Sequence, residues 1–464
     1  LVFKNFDEFA VDGLVPLIEQ NFNKSDAETA TIRTLSSVAN SCTLAVLWIA
    51  GEVFEQRILL FASLSLWIGF SSLSILLGSQ SFMVFVAFRS LAAAFSAVFV
   101  VISPVILADL FQERALGFVF MALKGGEIIS TNLSGIISSW IVTSGVPWQA
   151  GFMTPLLAIP TLFILFCMKG TLKNRARSSE TRNLGRSIRD AFGLFTIKSF
   201  ALFTAGNSLL SFHVRGYRFW FPTMILEAWR DAPKAFFGLS YTAIMSLVSG
   251  LKITGLVIGL PLWLWFAQSW RHGTGPFSGR EGYGRAYPIV VCAGSWLTSF
   301  MYIVAFLMLE DNFIISAIAL LLLSFGASGD AALSQLMLIM VVPSKSRAAA
   351  LALNHLISGI FVTPSAQFLG IISDTVRGGS TSAHDKFRSY QLAMLVSTFF
   401  SVANSCCDLA IIKVFPGDCQ KAEAKNREEE EEEDDEKSAL LSESESPSES
   451  VSSLLEEIAR SRAG

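Results

Sequence analysis

The sequence predicts an all-α polytopic membrane protein whose twelve transmembrane helices form two six-helix bundles. Hydrophobic residues make up 52% of the 464 residues and charged residues only 16%, which argues against a water-soluble globule with an ordinary polar surface. Apolar runs recur along the chain, and the longest connection divides them into two equal sets. Because a bilayer core requires about 20 apolar residues in a helix, these runs predict the helices one by one.

Twelve runs of about that length with few charges precede residue 416. They cover residues 1–22, 32–51, 58–78, 82–109, 116–143, 149–168, 199–227, 238–268, 287–309, 312–342, 347–372 and 389–415. The first run also holds Lys4, Asp7, Glu8 and Asp12, so its prediction rests least on hydrophobicity. Since the sequence starts with a leucine inside this run, we expect a few residues of the first helix to precede it.

The charged residues predict the domain organisation. Residues 1–168 and 199–415 form the two bundles, and the linker between them, residues 169–198, holds eight Lys and Arg against two acidic residues. The positive-inside rule predicts that this linker and both termini are cytosolic. Residues 416–464 hold 16 of the 38 acidic residues and 6 of the 35 basic ones. This negative charge, together with Ser–Glu repeats, predicts a disordered acidic cytosolic tail.

Several classes of protein have no support in the sequence. Four of the six cysteines lie inside apolar runs, which is not the pattern of a secreted disulfide framework. The membrane-like composition does not indicate nucleic-acid binding. No metal-ligand spacing, nucleophile triad or phosphate-cradling glycine loop is present, so we predict no enzyme activity, no metal and no cofactor.

Two sets of six helices around a basic central loop are typical of secondary transporters, whose substrate site lies at the membrane midplane between the halves. Ionisable residues inside the apolar runs are candidates for this site. Each costs about 2.5–3.5 kcal/mol on insertion scales, so each should have a partner or a task. The predicted substrate-binding residues are Glu8, Asp12, Lys124, Glu127, His213, Arg215, Arg218 and Asp330.

Two groups in this set have alternative interpretations. Lys124 and Glu127 are one helical turn apart, and they form either a structural ion pair or part of the substrate site. Arg215 and Arg218 carry forked donors that suit a phosphate, which favours a headgroup site. Alternatively, these arginines reach lipid headgroups at the membrane surface or neutralise acidic residues of the first run.

Four segments resemble the Spinster family of the major facilitator superfamily. Residues 7–20 (DEFAVDGLVPLIEQ) and 103–111 (SPVILADLF) resemble its first-span and fourth-span patterns. Residues 51–57 resemble its loop motif after the second span, and residues 370–374 (GIISD) recur at family spacing. The resemblance implies a major-facilitator-type fold and a carrier of amphiphilic lipids, either lysophospholipids that leave the lysosome or sphingosine-type lipids.

The resemblance also implies a pair of residues for proton coupling. Two acidic residues of the family pattern are replaced here by Ser96 and Gln335, which leaves Asp7 as the family-matched carboxylate. Arg89 matches the arginine of the family's fourth span. We expect Asp7 and Arg89 to couple transport to protons, because a buried carboxylate near an arginine can change protonation when its pathway opens to an acidic compartment.

Two short patterns concern cellular location. Glu436 precedes Leu440 and Leu441 with three residues between, the pattern by which clathrin adaptors send membrane proteins to endosomes and lysosomes. Asn23 starts an acceptor pattern for glycosylation in the predicted first luminal loop. These patterns predict a multi-pass protein of the lysosomal or late endosomal membrane, with the plasma membrane as the alternative.

The leading hypothesis is a secondary active transporter that moves lysophospholipids or sphingoid lipids across the lysosomal membrane by alternating access, driven by a proton or lipid gradient. One alternative, favoured by the two arginines, is a carrier of a soluble organic anion. Another, favoured by the replaced acids, is a non-transporting membrane adaptor or sensor. The expected partners are the lipid substrate, membrane lipids and a clathrin adaptor, with protons as the candidate coupling ion and no nucleic acid.

Overall fold

The computed structural model describes residues 2–50, 56–110, 113–167, 193–274, 276, 284–343 and 346–445. All regular structure in these residues is helical, which confirms the predicted fold class. The first half contains α1 (Val2–Phe22), α2 (Asp26–Thr29), α3 (Thr31–Ala50), α4 (Gln56–Leu76), α5 (Phe82–Leu110), α6 (Glu113–Ser144) and α7 (Ile159–Cys167).

The second half repeats the plan of long helices with short connections. It contains α8 (Lys198–Asp231), α9 (Tyr241–Arg271), α10 (Ala286–Leu307), α11 (Phe313–Met340), α12 (Arg347–Val362), α13 (Ser365–Arg377) and α14 (Ala383–Glu445). Polar side chains define several starts. Ser240 accepts a hydrogen bond from the backbone N–H of Ala243 at the start of α9, and Asn312 accepts one from Ile315 at the start of α11.

Two of the predicted spans are interrupted, and proline contributes to both interruptions. The sixth begins with two 3-10 turns, Trp148–Phe152 and Thr154–Ala158, before the short helix α7, and Pro155 lies at the start of the second turn. The eleventh is divided into α12 and α13, and Pro364 lies at the break. Proline has no backbone N–H and is tolerated in the first turn of a helix rather than in its interior.

Seven helices of the described residues are long and apolar enough to cross a membrane. They contain the segments Ile58–Leu76, Phe82–Phe99, Tyr241–Arg271, Ala286–Leu307, Phe313–Met340, Leu353–Arg377 and Ala383–Glu428. Helix α1 is not among them, because it carries charged residues at several positions. It is nevertheless buried in the protein, and Leu14 and Ile18 expose no surface. Its charged residues therefore lie where helices pack together.

Helix α1 lies against both halves of the molecule. It packs along α6 of its own half and along α8 of the other. The approach to α6 is close at Gly13, where an added Cβ would lie 2.4 Å from the Cβ of Ser138. The hydroxyl of Ser134 donates to the backbone oxygen of Phe6 at 3.0 Å. The small residue at position 13 therefore sets the position of α1, and with it that of the acidic residues.

The last helix continues well past residue 415, where the sequence predicts that the body ends. Asp418 on this extension accepts hydrogen bonds from the backbone N–H and the hydroxyl of Ser199, at 2.8 and 2.7 Å. Cys419 and Ala422 are also buried. The predicted boundary is therefore too early, and residues 416–445, expected to be disordered, are helical. Alanine, lysine, arginine and glutamate are good helix formers, which explains why the helix propagates.

Candidate substrate-binding and coupling site

The predicted coupling pair is in direct contact inside the first half. Nη1 of Arg89 on α5 lies 2.8 Å from Oδ1 of Asp7 on α1, and Nη2 donates to the backbone oxygen of Asp7 at 3.1 Å. The hydroxyl of Ser71 donates to the other carboxylate oxygen at 3.3 Å. The Arg89 guanidinium also lies 4.9 Å from the ring centroid of Phe152. Both charged residues are buried, so the pair is shielded from water.

Glu8 is the centre of a second ion cluster. Its carboxylate accepts hydrogen bonds from Lys4 one turn earlier on α1, from Arg33 of α3 at 3.1 Å and from Arg215 of α8 at 2.5 Å. Arg33 also binds Asp12, with 3.0 Å between Nη2 and Oδ2. The pair Glu8–Arg215 crosses from one half to the other. Arg215 therefore pairs with an acid of the first run, and its predicted role in substrate binding stays a prediction.

Three guanidinium groups surround the ring of Phe9, the residue after Glu8. The carbons of Arg33, Arg218 and Arg215 lie 5.3, 5.4 and 5.8 Å from its centroid, within the range of a cation–π interaction. Arg33 and Arg215 also have carboxylate partners. Arg218 has none among the described residues, and its side chain is exposed. Because it faces Phe9 of the other half, Arg218 lies at the space between the halves.

Lys252 of α9 is a second cation with no carboxylate partner among the described residues. Its ammonium lies 4.0 Å from the ring centroid of Phe221 and 4.8 Å from that of Tyr217. Both rings belong to α8, the helix that carries Arg218. Lys252 stands out in the sequence as a charged residue within an apolar run. The neighbouring residues of the sequence do not indicate that it belongs to the substrate site.

The other predicted substrate residues are less closely connected. His213 is fully buried, with its Nδ1 2.9 Å from the hydroxyl of Ser397 and its ring 4.3 Å from that of Tyr302. It belongs to the packing of α8 against α10 and α14 rather than to the Glu8 cluster. Glu127 is half-buried on α6 and Asp330 is half-buried on α11. The side chain of Lys124 lies outside the described residues, so its predicted pairing with Glu127 stays a prediction.

Sequence reasoning missed two residues of the ion cluster. Lys4 lies four residues before Glu8, the spacing at which side chains meet on a helix, so a simple periodicity test finds it. Arg33 gives no such signal, because its contacts with α1 depend on the packing of α3. Phe9 was also missed, since an aromatic residue in an apolar run has no distinctive pattern.

A third set of contacts joins the halves at the end predicted to be luminal. Asp26 of α2 accepts a hydrogen bond from the hydroxyl of Ser373 at 2.9 Å and lies 3.3 Å from Arg377, both on α13. In return, the backbone N–H of Ala27 donates to Asp374 at 3.0 Å. Burial raises the pKa of Asp26, although Arg377 opposes this shift. We call this set the α2–α13 contact.

The α2–α13 contact uses the GIISD segment that carries the family resemblance. Ser373 and Asp374 supply its polar groups, and Gly370 lies against the backbone of α2. Between α6 and α9, which also belong to different halves, the hydroxyls of Thr143 and Thr242 lie 2.9 Å apart. The contact thus holds the two halves together at this end. Asn23, the predicted glycosylation site, is exposed in the connection just before α2.

The predicted sorting residues lie on the extension of the last helix. Glu436, Leu440 and Leu441 all precede Glu445, where α14 ends. They are thus far along the chain from the ion clusters, and their predicted role stays a prediction.

Comparison with known proteins supports the transporter architecture. The family model of the Major Facilitator Superfamily matches residues 2–360. Protein spinster homolog 1 of Xenopus laevis is 24% identical over 435 residues, which cover 90% of this chain and 79% of that protein. The sphingosine-1-phosphate transporter SPNS2 of Danio rerio is 22% identical over 441 residues, which cover 91% of this chain and 84% of that protein.

A solved structure shows the same fold. It is the crystal structure of a bacterial homolog to the human lysosomal transporter Spinster in an inward-facing and unoccupied conformation. It aligns with a TM-score of 0.65 and 13% sequence identity, over 90% of this chain and 95% of that one. The relatives and the fold are those of transporters rather than enzymes. By the matched family model the chain belongs to the major facilitator superfamily, and within that superfamily it is similar to the Spinster proteins.

Proposed function

We propose that this transporter moves lysophospholipids or sphingoid lipids with a phosphate-bearing headgroup across the lysosomal or late endosomal membrane by alternating access. The single observation that carries the proposal is the pair of cations at the second half of the site. Arg218 and Lys252 lie near the interface of the halves and have no carboxylate partner among the described residues. A phosphate is a suitable partner, because charge-assisted hydrogen bonds are the strong ones.

The apolar surroundings of these cations support an amphiphilic substrate. Lys252 lies over Phe221 and Tyr217, and Arg218 lies over Phe9. A headgroup that binds the cations would therefore place its alkyl chain among aromatic rings. The name of the zebrafish relative, a sphingosine-1-phosphate transporter, supports the same class of lipid.

Proton coupling is a separate part of the proposal. Asp7 and Arg89 lie in one half and do not bridge to the other, whereas Glu8 binds both halves. Protonation of Asp7 would release the Arg89 guanidinium from its partner and change the charge beside α1. This sequence of events would link a proton to the position of the helix that carries Glu8.

The test is uptake by the purified protein in proteoliposomes. We expect sphingosine-1-phosphate or a lysophosphatidylcholine to be transported, and glycerol phosphate, a soluble phosphate ester, not to compete. Replacing Arg218 by Gln removes a charge-assisted hydrogen bond of about 1.5–3 kcal/mol and should raise the apparent KM by roughly tenfold or more. Arg230→Gln is the matched control, since Arg230 is on the same helix but pairs with Glu227 at 2.7 Å.

A soluble organic anion is the second candidate, and the same two cations favour it. If glycerol phosphate competes as well as the lipids do, the chain carries soluble anions. If Arg218→Lys transports normally, a forked donor is not required at this position.

The predicted lysosomal location is tested by a separate experiment. Replacing Leu440 and Leu441 by Ala should move the protein from lysosomes to the cell surface, and an unchanged distribution would exclude the sorting role.

A further inference from the structure

Three possible metal ligands converge at the end of the second half that is predicted to be luminal. Asp231 ends α8, Glu310 lies in the connection between α10 and α11, and His384 lies at the start of α14. One ligand atom from each lies within 4.8 Å of the other two. The Nδ1 of His384 is already 2.7 Å from Oδ2 of Asp231. Three separate elements therefore bring an imidazole and two carboxylates together.

The chemistry of this set suits a divalent transition metal. Zn²⁺ takes histidine nitrogen and carboxylate oxygen at about 2.0–2.2 Å, and three protein ligands leave one position for water. Imidazole ligands favour zinc over magnesium or calcium, which prefer oxygen alone. His384 is about half exposed, so its ring has room to rotate and a path to solvent. Rotation of the side chains can therefore bring the three ligand atoms close enough to coordinate one ion.

The metal would compete with Arg388, whose guanidinium lies beside Glu310. Oε2 of Glu310 is buried and accepts no hydrogen bond, so a lone pair is available. Nη2 of Arg388 lies 3.5 Å from this oxygen and is the competing cation. The Arg388 guanidinium is shared between two partners, because its Nη1 also donates to Gln391 at 2.8 Å. Two carboxylates against one arginine leave a net negative charge at the cluster.

We propose that Asp231, Glu310 and His384 bind one Zn²⁺ ion or a similar divalent transition metal. The site is distinct from the ion clusters of α1 and does not depend on the proposed substrate. Metal binding would connect the ends of α8 and α14 and the connection before α11. Since α8 carries Arg215 and Arg218, a metal at its end would brace the helix that supplies the substrate cations. The three ligands are far apart in the sequence, so no spacing motif indicates them.

The direct test is titration of the purified full-length protein with ZnCl₂ at neutral pH by isothermal titration calorimetry. We expect one ion to bind, and His384→Ala and Glu310→Gln each to weaken binding by at least about tenfold, since even residues that only support a ligand cost that much. The matched control is His272→Ala, because His272 is exposed in the described chain but lies at the C-terminal end of α9, outside the cluster. It should bind zinc as the unmodified protein does.

Two further measurements keep the proposal testable if a variant folds poorly. Arg388→Gln removes the competing cation and should tighten zinc binding, which loss of structure would not do. In the unmodified protein, zinc should slow the reaction of His384 with diethyl pyrocarbonate, measured by mass spectrometry, and leave His272 unaffected. Zinc binding that is equal in His384→Ala, or no protection of His384, would overturn the proposal and leave a hydrogen-bonded cluster that shares a proton.

Discussion

Nη1 of Arg215 on α8 lies 2.5 Å from a carboxylate oxygen of Glu8 on α1, so this ion pair connects the two halves of the transporter. Glu8 also binds Lys4 and Arg33 within its own half. The Glu8 carboxylate is therefore shared between Lys4 and Arg33, which belong to the same half, and Arg215, which belongs to the other half. In alternating access the halves move relative to each other. Among the three ion pairs of Glu8, the pair with Arg215 is the one that this movement must change.

The first prediction concerns the stability of this cluster. Glu8→Gln should lower the unfolding temperature more than Arg215→Gln does, because it leaves three cations without their shared carboxylate, whereas Glu8 keeps two partners when Arg215 is removed. The double variant should be less damaged than the sum of the single effects, by about 0.5–3 kcal/mol. Thermal unfolding of the purified variants measures both quantities. Effects that add would mean that the pair contributes no coupling.

The second prediction concerns Asp7 and Arg89. Asp7→Asn keeps the shape of the side chain but removes the charge that Arg89 binds at 2.8 Å. We expect the variant to lose stimulation of lipid uptake by a proton gradient and to retain exchange without a gradient. Asp12→Asn is the matched control on the same helix, because Asp12 binds Arg33 and does not contact Arg89. If a proton gradient still stimulates Asp7→Asn, another group carries the proton.

The helical fold and its two halves are predictable because bilayer thickness imposes a length on every apolar run. Asp7 and Arg89 were also paired correctly from the resemblance, and the structure confirms their contact. The interruptions of the sixth and eleventh spans were not predicted, although Pro155 and Pro364 are visible in the sequence. A proline inside an apolar run permits either a kinked helix or a break, and packing decides which.

The rest of the site depends on packing between distant segments. Arg33 and Glu8 are brought together only when α3 lies beside α1, and nothing in their spacing records this contact. The surroundings of His213 also depend on packing between distant segments. The hydroxyl of Ser397 and the ring of Tyr302 lie beside it within the second half, and its predicted substrate role stays a prediction.

The third prediction concerns Gly370 in the α2–α13 contact. An added Cβ would lie 3.0 Å from the backbone carbon and oxygen of Asp26, and backbone atoms cannot move aside as a side chain can. Gly370→Ala should therefore push α2 away from α13 and increase hydrogen–deuterium exchange of residues 26–30. Gly250→Ala is the matched control, since nothing lies within 4 Å of a Cβ there and the change favours the α9 helix. Equal exchange in both variants would mean that the α2–α13 contact tolerates the extra carbon.

The fourth prediction is that acid strengthens the α2–α13 contact through Asp26. Burial raises the pKa of this carboxyl above its ordinary value of 3.8, with Asp374 adding to the shift and Arg377 opposing it. When the halves separate at this end, Asp26 becomes exposed and its pKa returns toward the ordinary value. The closed contact therefore binds the proton more tightly than the open one. Its added stability is complete below pH 3.8 and is lost as the pH rises through the raised pKa.

Replacing Asp26 by Asn tests this argument, because asparagine imitates the protonated carboxyl and keeps an oxygen for the hydroxyl of Ser373. Exchange of residues 26–30, corrected for the intrinsic effect of pH on amide exchange, should slow on acidification from pH 7 to about pH 4, near the ordinary pKa of the carboxyl, in the unmodified protein. In Asp26→Asn it should be slow at both values. Asp385→Asn is the control, since hydrogen bonds from Ser380 and Ser382 lower the pKa of that exposed carboxyl below 3.8, outside the range examined. An unchanged pH dependence in Asp26→Asn would assign the effect to another group.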